Sequence, residues 1–124
     1  MKKLIGAFVV LAVLVPAAAA AAAAHFIKVE PTVVEPGHVV RVFGSVAGGG
    51  CPVGSSATLI STVFKGATKE EFAGVPAVNA KVRKGFKFSV KVTLSKGLKP
   101  GKYEIGGRCG GGNFGSAKLR VKHK

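Results

Sequence analysis

The clearest pattern in this 124-residue chain is an alternation of apolar and polar side chains over positions 86–94, which is typical of a half-buried β-strand. The residues predicted to face the core are Phe86, Phe88, Val90, Val92 and Leu94. Those predicted to face solvent are Lys87, Ser89, Lys91 and Thr93. The alternation returns near the C-terminus, with Ala117, Leu119 and Val121 predicted inward and Lys118, Arg120 and Lys122 outward.

Further strands are predicted at 26–30, 39–46, 57–64 and 103–109, where apolar residues are bounded by turn residues. In the second of these, Val40, Val42 and Val46 share the inner face. Turns are predicted at 35–38, 48–52, 100–101 and 110–113, each containing glycine or proline. Segment 65–84 has the weakest pattern. Residues 69–72 are compatible with a helical turn, and 75–83 with a short edge strand interrupted by Pro76.

About seven short strands joined by turns, with no sustained helical period after residue 24, predict an all-β fold. Their spacing is typical of an immunoglobulin-like antiparallel β-sandwich with Greek-key connections. Tyr103 follows a Pro-Gly turn and precedes a strand that carries a cysteine, about where such sandwiches place a corner tyrosine. The absence of tryptophan argues against an antibody-type domain.

The N-terminal segment 1–24 has the three parts of a secretory signal peptide. Lys2 and Lys3 precede an apolar run over 4–15, and Pro16 is followed by eight alanines. The run is shorter than the ~20 residues that a membrane-spanning helix needs. We therefore expect cleavage after Ala20, Ala22 or Ala24, leaving one domain over 25–124, with no membrane span after cleavage.

The number of cysteines is also consistent with export to an oxidising compartment. Cys51 and Cys109 are the two cysteines of the chain. An even number of cysteines in an exported protein predicts a disulfide. A redox pair would need the close C-x-x-C spacing, which is absent here, so we interpret the bridge as structural.

The formal charge of the chain is +14, and removal of Lys2 and Lys3 would leave about +12. Such an excess favours polyanionic partners, and the alternative is that it only keeps a basic secreted protein soluble. The candidate anion-binding residues are Lys87, Lys91, Lys118, Arg120 and Lys122. In a sandwich the two strands that carry them belong to opposite sheets, so we expect the charge to be spread over both faces. We expect no row of exposed aromatic residues between these cations, and hence no specific nucleic-acid site.

Several segments in order resemble a known family. They are Val29-Glu30-Pro31-Thr32-Val33-Val34-Glu35-Pro36-Gly37, Cys51 after a glycine-rich loop, Ala57-Thr58-Leu59-Ile60-Ser61, Pro100-Gly101-Lys102-Tyr103-Glu104-Ile105 and Arg108-Cys109-Gly110-Gly111. The order resembles small secreted actinobacterial proteins with one immunoglobulin-like domain. The resemblance covers nearly all of 25–124 and implies a sandwich fold, a disulfide and export, but no activity. The strong basic character departs from that family.

Catalytic patterns are weak. Gly110, Gly112 and Gly115 match a dinucleotide-binding fingerprint by letter, but a strand pattern follows them where that motif requires a helix. No G-x-S-x-G motif occurs, and the adjacent Glu70 and Glu71 would point to opposite faces of a strand. We expect no enzymatic activity and no cofactor.

Metal binding has one candidate. All five acidic residues are glutamates, which argues against calcium loops. Cleavage after Ala24 would make His25 the first residue, and an amino-terminal histidine chelates copper through its amine and ring. A second ligand would have to come from His38 or His123.

The leading hypothesis is a secreted, non-enzymatic, monomeric immunoglobulin-like protein that acts as an extracellular interaction module. Its basic surface would hold it on an anionic cell wall or on another protein. The first alternative is a cationic effector that binds anionic polymers or membranes, and it predicts charge clustered on one face. The second is a copper-binding module that uses His25.

Overall fold

A computed structural model of the protein describes residues 25–110 and 112–124, so the predicted signal peptide lies outside the described residues. The strands are β1 (Phe26–Glu30), β2 (Val33–Val34), β3 (Val39–Ser45), β4 (Ser56–Ile60), β5 (Glu71–Phe72), β6 (Val75–Lys81), β7 (Lys87–Thr93), β8 (Gly101–Cys109) and β9 (Gly112–Val121). Among the described residues, Thr62–Phe64 forms a short 3-10 turn, and Lys84–Phe86 forms a turn whose backbone is not helical at Gly85. The predicted all-β class is confirmed, and seven of these strands are the predicted ones.

The strands form two sheets. One has three strands in the order β1-β3-β7, and the other has six in the order β2-β9-β8-β4-β6-β5. Neighbouring strands are antiparallel except β2 and β9, which are parallel. The chain passes from the first sheet to the second at Pro31, which has no N–H to donate to either ladder.

One hydrophobic core contains side chains from both sheets. The predicted inner residues Val40, Val42, Val46, Phe88, Val92, Leu94, Leu119 and Val121 are all buried. Burial of this apolar surface is the main favourable term in folding, at about 25 cal/mol per Å². In β3, β7 and β9 the alternation of the sequence therefore predicts correctly which face packs inward, and the other predicted inner residues Val90 and Ala117 are partly buried against the core.

Phe86 is the exception to this alternation. The pattern predicts that it faces the core, but 41% of its surface is exposed. Gly85 and Phe86 both have positive φ, at 82° and 62°. This turn ends the alternation, so that β7 begins only at Lys87.

Three predictions over residues 57–84 differ from the structure. The interrupted edge strand predicted over 75–83 is the continuous strand β6, which is not at the edge because it lies between β4 and β5. Residues 71–72 form the short strand β5 and not a helical turn, because they pair with Val75 and Pro76 at the start of β6. The strand predicted over 57–64 ends at Ile60, where Ser61 Oγ accepts a hydrogen bond of 3.0 Å from Val63 N–H and caps a 3-10 turn.

The disulfide between Cys51 and Cys109 is confirmed, with the two Cα atoms 5.1 Å apart. Cys51 lies in the loop after β3 and Cys109 ends β8. The bridge therefore joins the glycine-rich loop between β3 and β4 to the end of β8. Both cysteines are buried.

Gly44 of β3 lies close to the backbone of β1. A Cβ at this position would fall on the carbonyl oxygen of Phe26. Since that atom is backbone, relief requires β1 to separate from β3. We expect Gly44→Ala to lower the free energy of unfolding by about 1–3 kcal/mol, measured by chemical denaturation.

The matched control is Gly97→Ala, where the nearest atom to a new Cβ is Ser95 Oγ at 3.7 Å. We expect this control to change stability by less than about 0.5 kcal/mol. Equal effects of the two substitutions would contradict the assigned close approach at Gly44.

Candidate anion-binding surface

The five candidate anion-binding residues lie on both sheets and are exposed. Lys87 and Lys91 point outward from β7, and Lys118 and Arg120 point outward from β9, with Lys122 just after it. None of the five forms an ion pair with a carboxylate of the described residues. The two ion pairs found there are Arg41 with Glu30 and His38 with Glu35. The charge is thus available to an external partner.

The outer side chains of β1, β3 and β7 form what we call the three-stranded face. Pairing between the strands arranges these side chains in rows, because residues two apart share a face of a strand. Read from β1 to β3 to β7, the rows are Phe26, Ser45 and Lys87; Lys28, Phe43 and Ser89; and Glu30, Arg41 and Lys91. Two phenylalanine rings therefore lie among the cations of these rows.

Arg41 is held in one orientation at the centre of the three-stranded face. Its Nε and Nη2 donate to Glu30 Oε1 at 3.3 and 3.0 Å, and its Nη1 donates to Ser89 Oγ at 3.0 Å. The guanidinium carbon lies 4.0 Å from the centroid of the Phe43 ring. This cation–π contact and the hydrogen bonds fix the plane of the guanidinium group.

The three-stranded face places two phenylalanine rings among its cations, an arrangement that was not predicted: Phe26 is exposed and Phe43 is half-buried. Phe26 is 42% exposed, and Lys28 Nζ lies 5.7 Å from its ring centroid. The sequence does contain the relevant pattern. Once Val40 and Val42 are assigned inward, the same alternation places Arg41 and Phe43 outward.

A groove of about 320 Å³ lies on the three-stranded face. Its charged lining consists of Arg41, Arg83 and Lys87, and its outer aromatic lining consists of Phe26 and Phe43. None of the described residues that line it is acidic. The groove is positively charged and partly apolar.

The outer side chains of the six-stranded sheet, which we call the six-stranded face, have a different composition. Lys102 pairs with Arg120 and Glu104 pairs with Lys118 in the β8–β9 ladder. The groove over them includes the Glu104 carboxylate, which offsets part of the positive charge. In the same sheet, the guanidinium carbon of Arg108 on β8 lies 5.5 Å from the ring centroid of Phe72 on β5.

Tyr103 lies in β8, where it pairs with Leu119 of β9, and its side chain is half-buried. Its hydroxyl donates a hydrogen bond of 2.6 Å to the carbonyl oxygen of Lys99. This bond connects the Tyr103 side chain to the backbone just before the Pro100–Gly101 turn.

The three histidines are not brought together. His25 precedes Phe26, which pairs with Ser45 at the far end of β3, whereas His38 precedes Val39 at the near end. His123 follows Lys122, whose N–H donates to the Val34 carbonyl, so it also lies away from His25. Residues 25–110 and 112–124 contain no group of three or more His, Cys, Asp or Glu that could hold a metal ion. The copper hypothesis therefore depends on His25 without help from His38 or His123.

The glycine fingerprint of 110–115 leads into β9, so in the described part of the chain no helix follows it to bind a phosphate. No helix within the described ranges is long and apolar enough to cross a membrane. No protein-family model, no curated protein and no solved structure matches this chain. The functional conclusion therefore depends on the fold and the surface.

Proposed function

We propose that this chain is an exported, non-enzymatic immunoglobulin-like domain that binds anionic polymers of the cell envelope through its basic surface. The observation that carries this proposal is the set of exposed cations on both sheets that pair with no carboxylate of the described residues, at Lys87, Lys91, Lys118, Arg120 and Lys122. Their distribution over two faces suits a flexible polymer that wraps the domain. It supports the cationic effector less well, since that alternative predicts charge on one face.

Four features support the immunoglobulin-like part of the proposal. The first strand divides between the two sheets as β1 and β2, and β9, β8 and β4 are neighbours in the larger sheet. The disulfide links the loop after β3 to the end of β8, and Tyr103 bonds to the backbone upstream. These features are typical of such sandwiches.

Export is supported by the composition of segment 1–24 and by the Cys51–Cys109 bridge. Disulfides persist in oxidising compartments and are rare in the cytosol. Intact mass of the protein released by its native host tests this part directly. We expect a mature chain that begins between Ala21 and His25, with two hydrogens fewer than the reduced form.

Binding to inorganic polyphosphate tests the proposed function. We expect binding that weakens steeply with salt, because each cation that contacts a phosphate releases a counterion. Lys87→Gln with Lys91→Gln, and separately Lys118→Gln with Arg120→Gln, should each make the dependence of log affinity on log salt less steep. The slope should fall by about one unit for each substituted cation that had bound a phosphate.

The two double variants serve as controls for each other, because each removes the same charge from a different sheet. Combining all four substitutions should reduce binding further than either pair. Affinity that is unchanged in the fourfold variant at low salt would contradict a role for these cations.

A further inference from the structure

The three-stranded face combines features that a simple polyanion does not require. Its groove is lined by Phe26 and Phe43 as well as by Arg41, Arg83 and Lys87, and none of its described lining residues is acidic. A polymer such as polyphosphate gains nothing from aromatic rings. A ligand with both negative charge and planar rings would use both kinds of side chain.

We propose that the three-stranded face binds single-stranded nucleic acid without sequence preference. Bases would stack on the exposed Phe26 ring and on the Arg41 guanidinium plane that lies over Phe43. Phosphates would contact Arg83 and Lys87 at the groove. Aromatic rings and guanidinium planes within a basic groove are the elements that sequence-independent single-strand binding uses. This inference rests on the proposed affinity for polyanions and names one ligand class for one face.

The geometry at Arg41 favours a nucleic acid over an anionic membrane. Insertion into a bilayer needs aromatic rings that are free to leave the protein surface. The Phe43 ring is covered by the Arg41 guanidinium at 4.0 Å, and Arg41 is anchored by Glu30 and Ser89. A fixed, charged plane over a ring is a stacking surface and not a hydrophobic wedge. Ser45 lies in the row of Phe26 and Ser89 lies in the row of Phe43, and both add hydroxyl groups able to hydrogen-bond the ligand.

The test compares a fluorescent dT20 oligonucleotide with inorganic polyphosphate, using the purified exported protein at one salt concentration. We expect Phe26→Ala to weaken dT20 binding by about fivefold or more and to leave polyphosphate binding within about twofold. Val33→Ala is the control, since Val33 is an exposed apolar residue on β2 of the other sheet. Arg41→Lys retains the charge but removes the guanidinium plane, and we expect the same selective loss.

The charge variants locate the ligand. Lys87→Gln with Lys91→Gln should weaken dT20 binding more than Lys118→Gln with Arg120→Gln. Substituting rU20 for dT20 distinguishes DNA from RNA, and either preference supports the inference. Arg41→Lys also keeps the test valid if Phe26→Ala does not fold.

Three results would overturn the inference. The first is equal loss of dT20 and polyphosphate binding in Phe26→Ala and Arg41→Lys. The second is dT20 binding that is unchanged in both Phe26→Ala and Arg41→Lys. If polyphosphate still binds in that case, the proposed function stands. The third is ring-dependent binding to phosphatidylglycerol vesicles without binding to dT20. A protein that binds neither dT20 nor polyphosphate would contradict both this inference and the proposed function.

Discussion

Replacing both Cys51 and Cys109 by serine is expected to lower the free energy of unfolding by about 4 kcal/mol. The bridge spans a sequence separation of 58 residues, so its loss allows the unfolded chain many more conformations. For a domain of this size the melting temperature should fall by roughly 20 °C. Chemical denaturation of the two proteins under oxidising conditions measures the difference.

A reducing agent provides the control for this prediction. It should destabilise the unmodified protein by about the same amount and leave the double serine variant unchanged. A variant that is as stable as the oxidised protein would mean that contacts between the sheets suffice without the bridge. The expected loss is comparable to the whole stability margin of many small domains, so the reduced protein should be close to unfolding.

Phe114→Ala is expected to destabilise the domain by about 3–5 kcal/mol, which is the usual cost of removing a fully buried phenylalanine. Only 1% of the Phe114 surface is exposed, and its ring meets Phe88 edge to face with centroids 5.7 Å apart. The ring also fills the space above Gly107, where a Cβ would lie 2.5 Å from its Cζ. The glycine on β8 and the ring on β9 are therefore complementary in shape.

Urea denaturation measures the effect of Phe114→Ala, with Val33→Ala as a surface control that should change stability by less than about 0.5 kcal/mol. Phe114→Leu should be less destabilising than Phe114→Ala, because it leaves a smaller cavity. A loss of stability below about 1 kcal/mol in Phe114→Ala would mean that the ring does not anchor β9 to the core.

The importance of Phe114 is not evident from the sequence. It lies in the segment 110–116, which is rich in glycine and whose pattern predicts a hairpin turn up to Asn113. Its burial depends on Gly107 and Phe88, which are distant in the chain or on another strand. A period of two identifies the face of a strand, but it does not identify a partner that leaves room for a ring.

The basic surface is likewise predictable in part from the sequence and in part only from the tertiary structure. The alternation in 86–94 and 117–122 correctly predicts that Lys87, Lys91, Lys118, Arg120 and Lys122 are exposed. It does not predict the rows of the three-stranded face. These rows depend on the register between β1, β3 and β7, which places Lys28 beside Phe43 and Glu30 beside Arg41. Register is set by pairing between distant segments.

The sequence by itself determined the all-β class, seven of the strands, the inner faces of β3, β7 and β9, and the pairing of the two cysteines. The strands and their faces follow from periodicity and turn residues, which act within short segments of the chain. The cysteine pairing follows from the presence of two cysteines in the whole chain. Only the tertiary structure decided that Phe86 is exposed, that β5 is a strand, and that Phe26, Phe43 and Arg41 share one groove. The physical reason is that each of these depends on which strands become neighbours, and that choice is made by packing across the core and between sheets.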